Sequence, residues 1–389
     1  MTPGARAAAA IAALDAIVAG APAEQVLTRW GRSARYAGSG DRAAVRDLVY
    51  DALRKRRSAG AAGGGSDGRA LILGLLRLSG DSAGTLFTGE GHAPSPLTAE
   101  EAGHQTGPLT DAERLDCPDW LLPLVRDSLG IAAEPALLAL RERATVFLRA
   151  RGDRAAAAAS LADEGIATRP HPNVSTALEV IANARKIQSS ESYGKGLVEL
   201  QDASSQGAIL DLPLRPGLRV LDYCAGGGGK ALALAARERL EIVAHDADPR
   251  RMADLPDRAA RAGAEIAIAR PGELSGDFDL VVVDAPCSGS GTWRRTPDAK
   301  WRLTPDRLDD LCRLQRRIVA EAAARVRPGG RLAYMTCSLL STENEDIVPH
   351  ALAGPCAGWD ALPPRRWQPD GAGDGFFLAQ LVRPGAAPV

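Results

Sequence analysis

Apolar residues recur at helical spacing through the first part of the chain. Ile11, Leu14, Ile17 and Val18 follow this period, as do Val45, Leu48, Val49 and Leu53, and then Leu71, Leu75 and Leu78. The pattern predicts an all-helical region over residues 1–140, with a glycine-rich break at 60–68 and an exposed Gly/Pro-rich loop from 79 to about 107. Helices over 121–125 and 135–140 complete it. From residue 145 the texture changes. Residues 146–149 read as a strand, 155–162 as a helix and 177–181 as a second short apolar element, giving a small α/β insert that ends near 200. Beyond Leu218, compact apolar runs alternate with glycine turns and helical stretches. Strands are expected at 219–222, 241–246, 279–285 and 331–337, and such alternation implies a parallel sheet covered by helices. Residues 375–382 are expected as a last, antiparallel strand.

A chain of 389 residues exceeds one ordinary core, which fits a division into 1–140, 141–200 and 201–389. The formal net charge of -1 gives no global attraction to nucleic acid, so any such contact needs local basic patches. Six cysteines stand without CxxC pairs and away from the five histidines, which points to reduced thiols in a cytoplasmic protein and to no metal site. The start superficially imitates a signal peptide: Arg6 precedes an apolar stretch that ends at Ala19-Gly20-Ala21. Asp15 interrupts that stretch, and its helical spacing favours a bundle helix. No run approaches the roughly 20 apolar residues of a membrane span, and a monomer is expected.

The strand over 219–222 runs into Cys224-Ala225-Gly226-Gly227-Gly228-Gly229-Lys230, where backbone amides at a helix N-terminus can approach a cofactor closely. Gly226, Gly228 and Ala231 satisfy the G-x-G-x-x-G/A pattern, and Asp246, about 20 residues on, fits the acid that holds ribose hydroxyls. NAD enzymes and S-adenosylmethionine (SAM) enzymes share these features. A phosphate-binding P-loop is excluded, because Ala231 stands where Ser or Thr is required and Cys224 where the first glycine belongs.

Asp284-Ala285-Pro286-Cys287 places a carboxylate and a thiol at the ligand-binding end of a strand. The next segment carries Arg294, Arg295, Lys300 and Trp301, a combination suited to phosphate contact and base stacking. Thr336-Cys337-Ser338 closes a later strand and leads to Thr342-Glu343-Asn344-Glu345, which reads as a helix start with acids in its first turn. Two thiols at strand ends beside a nucleotide-like cofactor suit methylation of a pyrimidine at carbon 5. That carbon becomes nucleophilic only after a thiolate adds to its ring neighbour. These residues alone leave open which cysteine attacks.

The stretch from Leu197 to Gln206 that contains Gln201-Asp202-Ala203-Ser204-Ser205-Gln206, the glycine loop, the Asp-Ala-Pro-Cys loop with its Arg-Arg-x-Pro-Asp tail, and Thr-Cys-Ser together resemble the RsmB/Nop/Sun family of RNA cytosine-5 methyltransferases. The helical N-terminal region 1–140, with its stretch Asp41 to Tyr50, resembles the NusB-type RNA-binding bundle of the bacterial branch, and 145–200 its small RNA-binding insert. The resemblance implies a Rossmann-like class I SAM methyltransferase domain, an α/β fold, preceded by an all-α bundle and a small α/β insert. It implies that Cys337 is the nucleophile, that Cys287 assists release, that Asp284 and Lys230 serve catalysis, and that Cys224 to Lys230, Asp246 and Asp284 lie around SAM. An RNA substrate follows, 16S ribosomal RNA ahead of transfer RNA, with Arg149, Arg294, Arg295, Lys300, Trp301 and the run Arg54-Lys55-Arg56-Arg57 as contacts.

Three departures from the family pattern stand out. Gly227 replaces the proline of Ala-Ala-Pro-Gly-Gly-Lys-Thr, so a more flexible loop is expected. The acid after the third strand gives way to Arg270-Pro271-Gly272-Glu273, with Glu273 only a displaced candidate, and an Arg-x-Asn of the insert is Arg149-Ala150-Arg151. Two other classes compete. An NAD-dependent oxidoreductase accounts for the glycine pattern and Asp246 but not for the thiols. A non-catalytic RNA-binding assembly factor accounts for the altered loop but not for intact Lys230, Asp284, Cys287 and Cys337.

Overall fold

The computed structural model describes residues 1–385. The chain forms two compact units, Met1–Arg143 with Trp293–Leu303, and Ala144–Thr292 with the chain from Thr304 onward. The first unit is helical. It opens with α1 (Pro3–Val18), α2 (Ala23–Ser33), α3 (Ser39–Arg54), α4 (Arg56–Gly63) and α5 (Gly68–Ser79). Ala7, Ala10, Leu14 and Ile17 of α1 meet Val45, Val49 and Leu53 of α3 in one apolar cluster, so the signal-like start is a core helix. Leu78 departs from the predicted stripe at 43% exposure, and Ile72, Leu73 and Leu76 are buried in its place. The reason is a close helix pair. A Cβ on Gly63 would lie 1.9 Å from the Ala70 carbonyl oxygen, and one on Gly74 1.7 Å from that of Ala59. The glycines at 60 and 63 therefore belong to α4 and let α5 pack backbone to backbone, which shortens the predicted break to 64–67.

The basic segment after the Asp-Ala-Pro-Cys loop is not a solvated loop. Trp293, Arg294 and Lys300 are each no more than 2% exposed, and the segment packs into the helical unit. Lys300 Nζ donates to the Asp116 carbonyl, Trp301 Nε1 donates to Leu53 O at 2.7 Å, and Arg54 Nε donates to Arg294 O at 2.7 Å. Leu53 lies in the last turn of α3, where carbonyls lack helical partners, so the indole caps that helix. The Asp116 carboxylate accepts from Arg57 N and Ser58 N, each at 2.9 Å, and caps the start of α4. Arg54, Arg57 and Lys300 of the two basic runs thus spend donors on carbonyls and carboxylates of their own unit, while Arg56 lies over the Trp301 ring at 5.4 Å. Arg294, Lys300 and Arg54 present no exposed cation for the expected phosphate contact, and Arg57 is paired with Asp119 at 2.7 Å.

The second unit holds two sheets. The insert forms an antiparallel sheet of β1 (Phe147–Ala150), β2 (Ala167–Pro170), β3 (Ala177–Ala182) and β4 (Val198–Leu200), in the order β2-β3-β1-β4, with helix Arg154–Asp163 against it. The main sheet contains β5 (Arg219–Asp222), β6 (Glu241–His245), β7 (Ile266–Ala269), β8 (Phe278–Asp284), β9 (Val326–Thr336), β10 (Asp360–Ala361), β11 (Arg365–Trp367) and β12 (Phe376–Val382). Its order is β10-β12-β9-β8-β5-β6-β7, with β11 pairing β12. The five strands from β5 to β9 run parallel, whereas β12 joins β9 antiparallel as expected. Helices cover both faces around apolar clusters that contain Val281, Val283 and Leu332 on one side and Val220, Val282 and Ala333 on the other. This is the Rossmann-like arrangement.

Burial lowers the Lys300 pKa to about 8, with the Asp116 carboxylate opposing that shift. The folded value lies below the unfolded one, so the penalty is complete below pH 8, fades as pH rises from 8 to the unfolded value near 10.4, and is gone above it. The unaltered protein should gain about 2 kcal/mol of unfolding stability over Lys300→Met between pH 8 and pH 10, measured by urea titration. Equal pH slopes for the two proteins would show that Lys300 keeps its proton in the folded core as it does in the unfolded chain, and would refute the lowered pKa.

Candidate active site

Parallel pairing delivers the candidate residues to one end of the main sheet. Asp222 of β5 is in register with Val282 of β8, and Asp284 of β8 with Met335 of β9. The loops that follow these three strands therefore emerge side by side: the glycine loop, Asp284 to Cys287, and Cys337 to Ser338. Ala285 N donates to Met335 O at 2.9 Å and Gly291 N to Cys337 O at 2.8 Å, which extends the pairing past the strand ends.

In the glycine loop, Gly226 and Gly228 take φ of 49° and 81°, the left-handed region open to glycine at little cost. A Cβ on Gly228 would also lie 2.2 Å from Leu255 Cδ1. The loop ends at helix Gly229–Arg237, whose Ala231 N donates to Asp222 Oδ2 at 3.0 Å. The other Asp222 oxygen is buried without a partner, and burial, reinforced by the Asp284 charge, pushes this carboxyl up to about 7. Space opposite Gly229 is open, with nothing within 4 Å of a Cβ built there. Asp246 is 2% exposed and accepts from Gly226 N and Asp248 N, each at 3.0 Å, while Arg251 Nη1 lies 3.2 Å away. Its carboxylate thus already shapes the loop that the sequence assigned it to assist. Burial raises the Cys224 thiol pKa strongly. Glu273 turns back to accept from Arg270 N at 3.0 Å and closes its own turn.

Lys230 Nζ donates to Asp284 Oδ2 at 2.7 Å and lies 5.0 Å from the centre of the Phe376 ring. Burial works against its charge, but the Asp284 carboxylate, then Asp222 and Cys337, outweigh that cost and raise its pKa. Cys287 Sγ and Cys337 Sγ are 3.4 Å apart. Both thiols are partly exposed, although Thr336, Ser338 and Ser290 around them are fully buried. The bond to Cys337, then burial, raises the Cys287 pKa well above its ordinary value.

A residue that sequence reasoning assigned to a helix start holds this pair together. Glu343 ends a short 3-10 turn and is fully buried. Its carboxylate accepts from Ser288 N at 2.7 Å, from Gln315 Nε2 at 3.0 Å, and from the hydroxyls of Ser288 and Ser338. Ser288 follows Cys287 and Ser338 follows Cys337, so one carboxylate grips both thiol loops. Asn344 completes the grip: its Nδ2 donates to Ser338 O at 2.9 Å and its Oδ1 accepts from Thr336 Oγ1. The repeated Cys-Ser pair was the available signal.

Arg149 belongs to the second unit but not to an exposed surface. It is 6% exposed and its Nη1 donates to Gln201 Oε1 at 2.7 Å and to Gly229 O at 3.3 Å. Burial lowers its pKa to about 10. The arginine braces the glycine loop from within, which replaces the expected RNA contact. Arg294, Arg295, Lys300 and Trp301 lie with the helical unit instead of among these residues.

Residues 209–356 match the family model described as 16S rRNA methyltransferase RsmB/F. The chain is 34% identical over 291 residues to a ribosomal RNA small subunit methyltransferase B of Xanthomonas campestris pv. campestris, and 31% identical over 285 residues to one of Salmonella paratyphi B. Each alignment covers 68% of this chain and 66% of the relative. Among solved structures, that of the protein PH0851 superposes with a TM-score of 0.76 at 23% identity, covering 98% of this chain and 99% of the other. At that identity the likeness concerns the fold.

Replacing Glu343 by Ala strands four hydrogen-bond donors and should lower unfolding stability by roughly 3 kcal/mol in urea titrations. Glu345→Ala, which removes a half-exposed partner of Arg366, should cost less than about 1 kcal/mol.

Proposed function

The chain belongs to the RsmB/Nop/Sun family, and on that footing we propose that it methylates carbon 5 of a cytosine in 16S ribosomal RNA with SAM as methyl donor. The observation that carries the reading is the pair of partly exposed thiols 3.4 Å apart at adjacent strand ends. The same end of the sheet holds the Lys230–Asp284 pair and a glycine loop. The matched family and the relatives' names favour ribosomal over transfer RNA as substrate.

The site fits SAM. Asp222 has a buried oxygen without a partner, and the space before Gly229 is open. Cys224, Ala225, Gly226 to Gly229, Asp246 and Asp284 would hold the cofactor, which when bound supplies an electrophilic methyl group. Cys337 adds as thiolate to ring carbon 6. Once Cys337 is a thiolate, the Cys287 thiol 3.4 Å away can donate to it, and the Lys230 ammonium, kept charged by Asp284, favours that charge electrostatically. As negative charge develops on the ring, the Lys230–Asp284 pair supplies a proton to nitrogen 3. Carbon 5 is then enamine-like and nucleophilic. After methylation a water beside Asp284 takes the carbon 5 proton, the freed electron pair restores the ring double bond as the Cys337–carbon 6 bond breaks, nitrogen 3 returns its proton to the Lys230–Asp284 pair, and the Cys287 S–H stabilises the departing thiolate. A cytosine reaches these thiols only when it leaves its stack, because stacking covers the face that is attacked.

Calorimetry should detect SAM binding and no NADH binding, and absence of SAM binding would refute the proposal. With RNA containing 5-fluorocytosine and SAM, Cys337→Ala should form no covalent adduct. With unmodified RNA, Cys287→Ala should accumulate one; the reverse pattern would exchange the two roles. Bisulfite sequencing of ribosomal RNA from cells with and without the gene should show one 5-methylcytosine lost from 16S rRNA.

A further inference from the structure

The glycine loop lacks any side chain between Gly226 and Gly229 to stiffen it, yet its carbonyls are held from outside. Besides Arg149 on Gly229 O, Arg258 of helix Leu255–Ala262 donates from Nη1 to Gly227 O. The other arm of Arg258, Nη2, donates to Glu199 Oε1 at 3.1 Å. Glu199 is buried, and its second oxygen accepts from Arg261 Nη2 at 2.8 Å. The Arg261 guanidinium in turn stacks 4.3 Å from the centre of the Tyr193 ring. Arg258 is therefore anchored at its far side.

Two details tie this arginine to the glycine it touches. Gly227, unlike its neighbours Gly226 and Gly228, does not have a left-handed φ, so its backbone does not require glycine. A Cβ there would, however, lie 2.8 Å from Arg258 Nη1. Glycine at 227 leaves room for the guanidinium. The peptide unit between Gly227 and Gly228 is then fixed at both ends, because Gly228 N donates to Ala225 O at 2.8 Å while Gly227 O accepts from Arg258. The greater flexibility expected from four consecutive glycines is removed by a clamp in the second unit's own side chains.

We propose that Arg258, seated on Glu199, is a positioning residue for SAM, holding the Gly226 to Gly229 loop in its binding shape so that little ordering is left for the cofactor to impose. The proposal rests on the SAM reading above. On the full-length chain, Arg258→Ala should weaken SAM binding in calorimetry about tenfold, the loss of one charge-assisted hydrogen bond. It should raise KM for SAM similarly while leaving KM for RNA and kcat at saturating SAM nearly unchanged. Arg258→Lys should recover only part of the loss, because one ammonium cannot reproduce the two-armed geometry. Gly227→Ala keeps the arginine and its Glu199 pair but displaces the guanidinium, and should weaken SAM binding by a similar factor. The double variant should be no worse than either single one. SAM affinity within twofold of the unaltered protein for both single variants, or losses that multiply in the double variant, would overturn the clamp. If the unaltered chain binds no SAM, the functional proposal falls together with it, which separates the two failures.

Discussion

One buried carboxylate sets the geometry on which the thiol chemistry depends. Parallel strands β8 and β9 bring two backbones together, but their ladder ends at Asp284 and Met335, and only two backbone bonds, Ala285 N to Met335 O and Gly291 N to Cys337 O, cross beyond it. Beyond that point Glu343 takes over. A carboxylate only accepts hydrogen bonds, so it can gather donors from two loops at once without competition between them. The serine after each cysteine supplies those donors, and the sulfurs between strand end and carboxylate have little freedom left. Their 3.4 Å separation is thus a property of a hydrogen-bond network that is fully withdrawn from solvent.

The site's charges are arranged around that contact. Asp222, Asp246 and Asp284 stand at the same end of the sheet with Lys230 among them, so the lysine keeps its proton despite burial. Asp222, which has no cation bonded to it, is pushed towards neutrality instead. Both groups are pushed towards their protonated forms, which leaves the lysine charged and the aspartic acid tending to neutral, so the site holds one cation beside a thiolate and still offers a neutral hydrogen-bonding surface for a cofactor.

Much of this was legible in the chain. The central strands were found because strands buried on both faces read as continuous apolar runs, as in Leu280 to Val283. The edge strands β7, β10 and β11 were missed, since exposed edges carry weak apolar signals: Ala267 and Ile268 both face solvent. The catalytic loops were legible because their chemistry lies in contiguous residues at strand ends. Glu343 and Arg258 were not, because their partners are distant in sequence: Glu343 acts through Ser288, and Arg258 through Gly227 and Glu199. Lys300 of the basic segment 294–302 and Arg54, expected as phosphate contacts, are buried, and the sequence hid this for a further reason. Charge in a sequence does not say whether a donor faces solvent or a carbonyl, and here Lys300 and Arg54 face carbonyls.

That segment also orders events during synthesis. Trp301 caps a carbonyl 248 residues earlier in the chain, and Lys300 bonds one 184 residues earlier. A ribosome that has made the five opening helices has not yet made the indole that caps α3, and the ammonium that reaches Asp116 is equally late. The first helices to emerge are therefore completed only after β5 to β8, half of the main sheet's strands, have been translated.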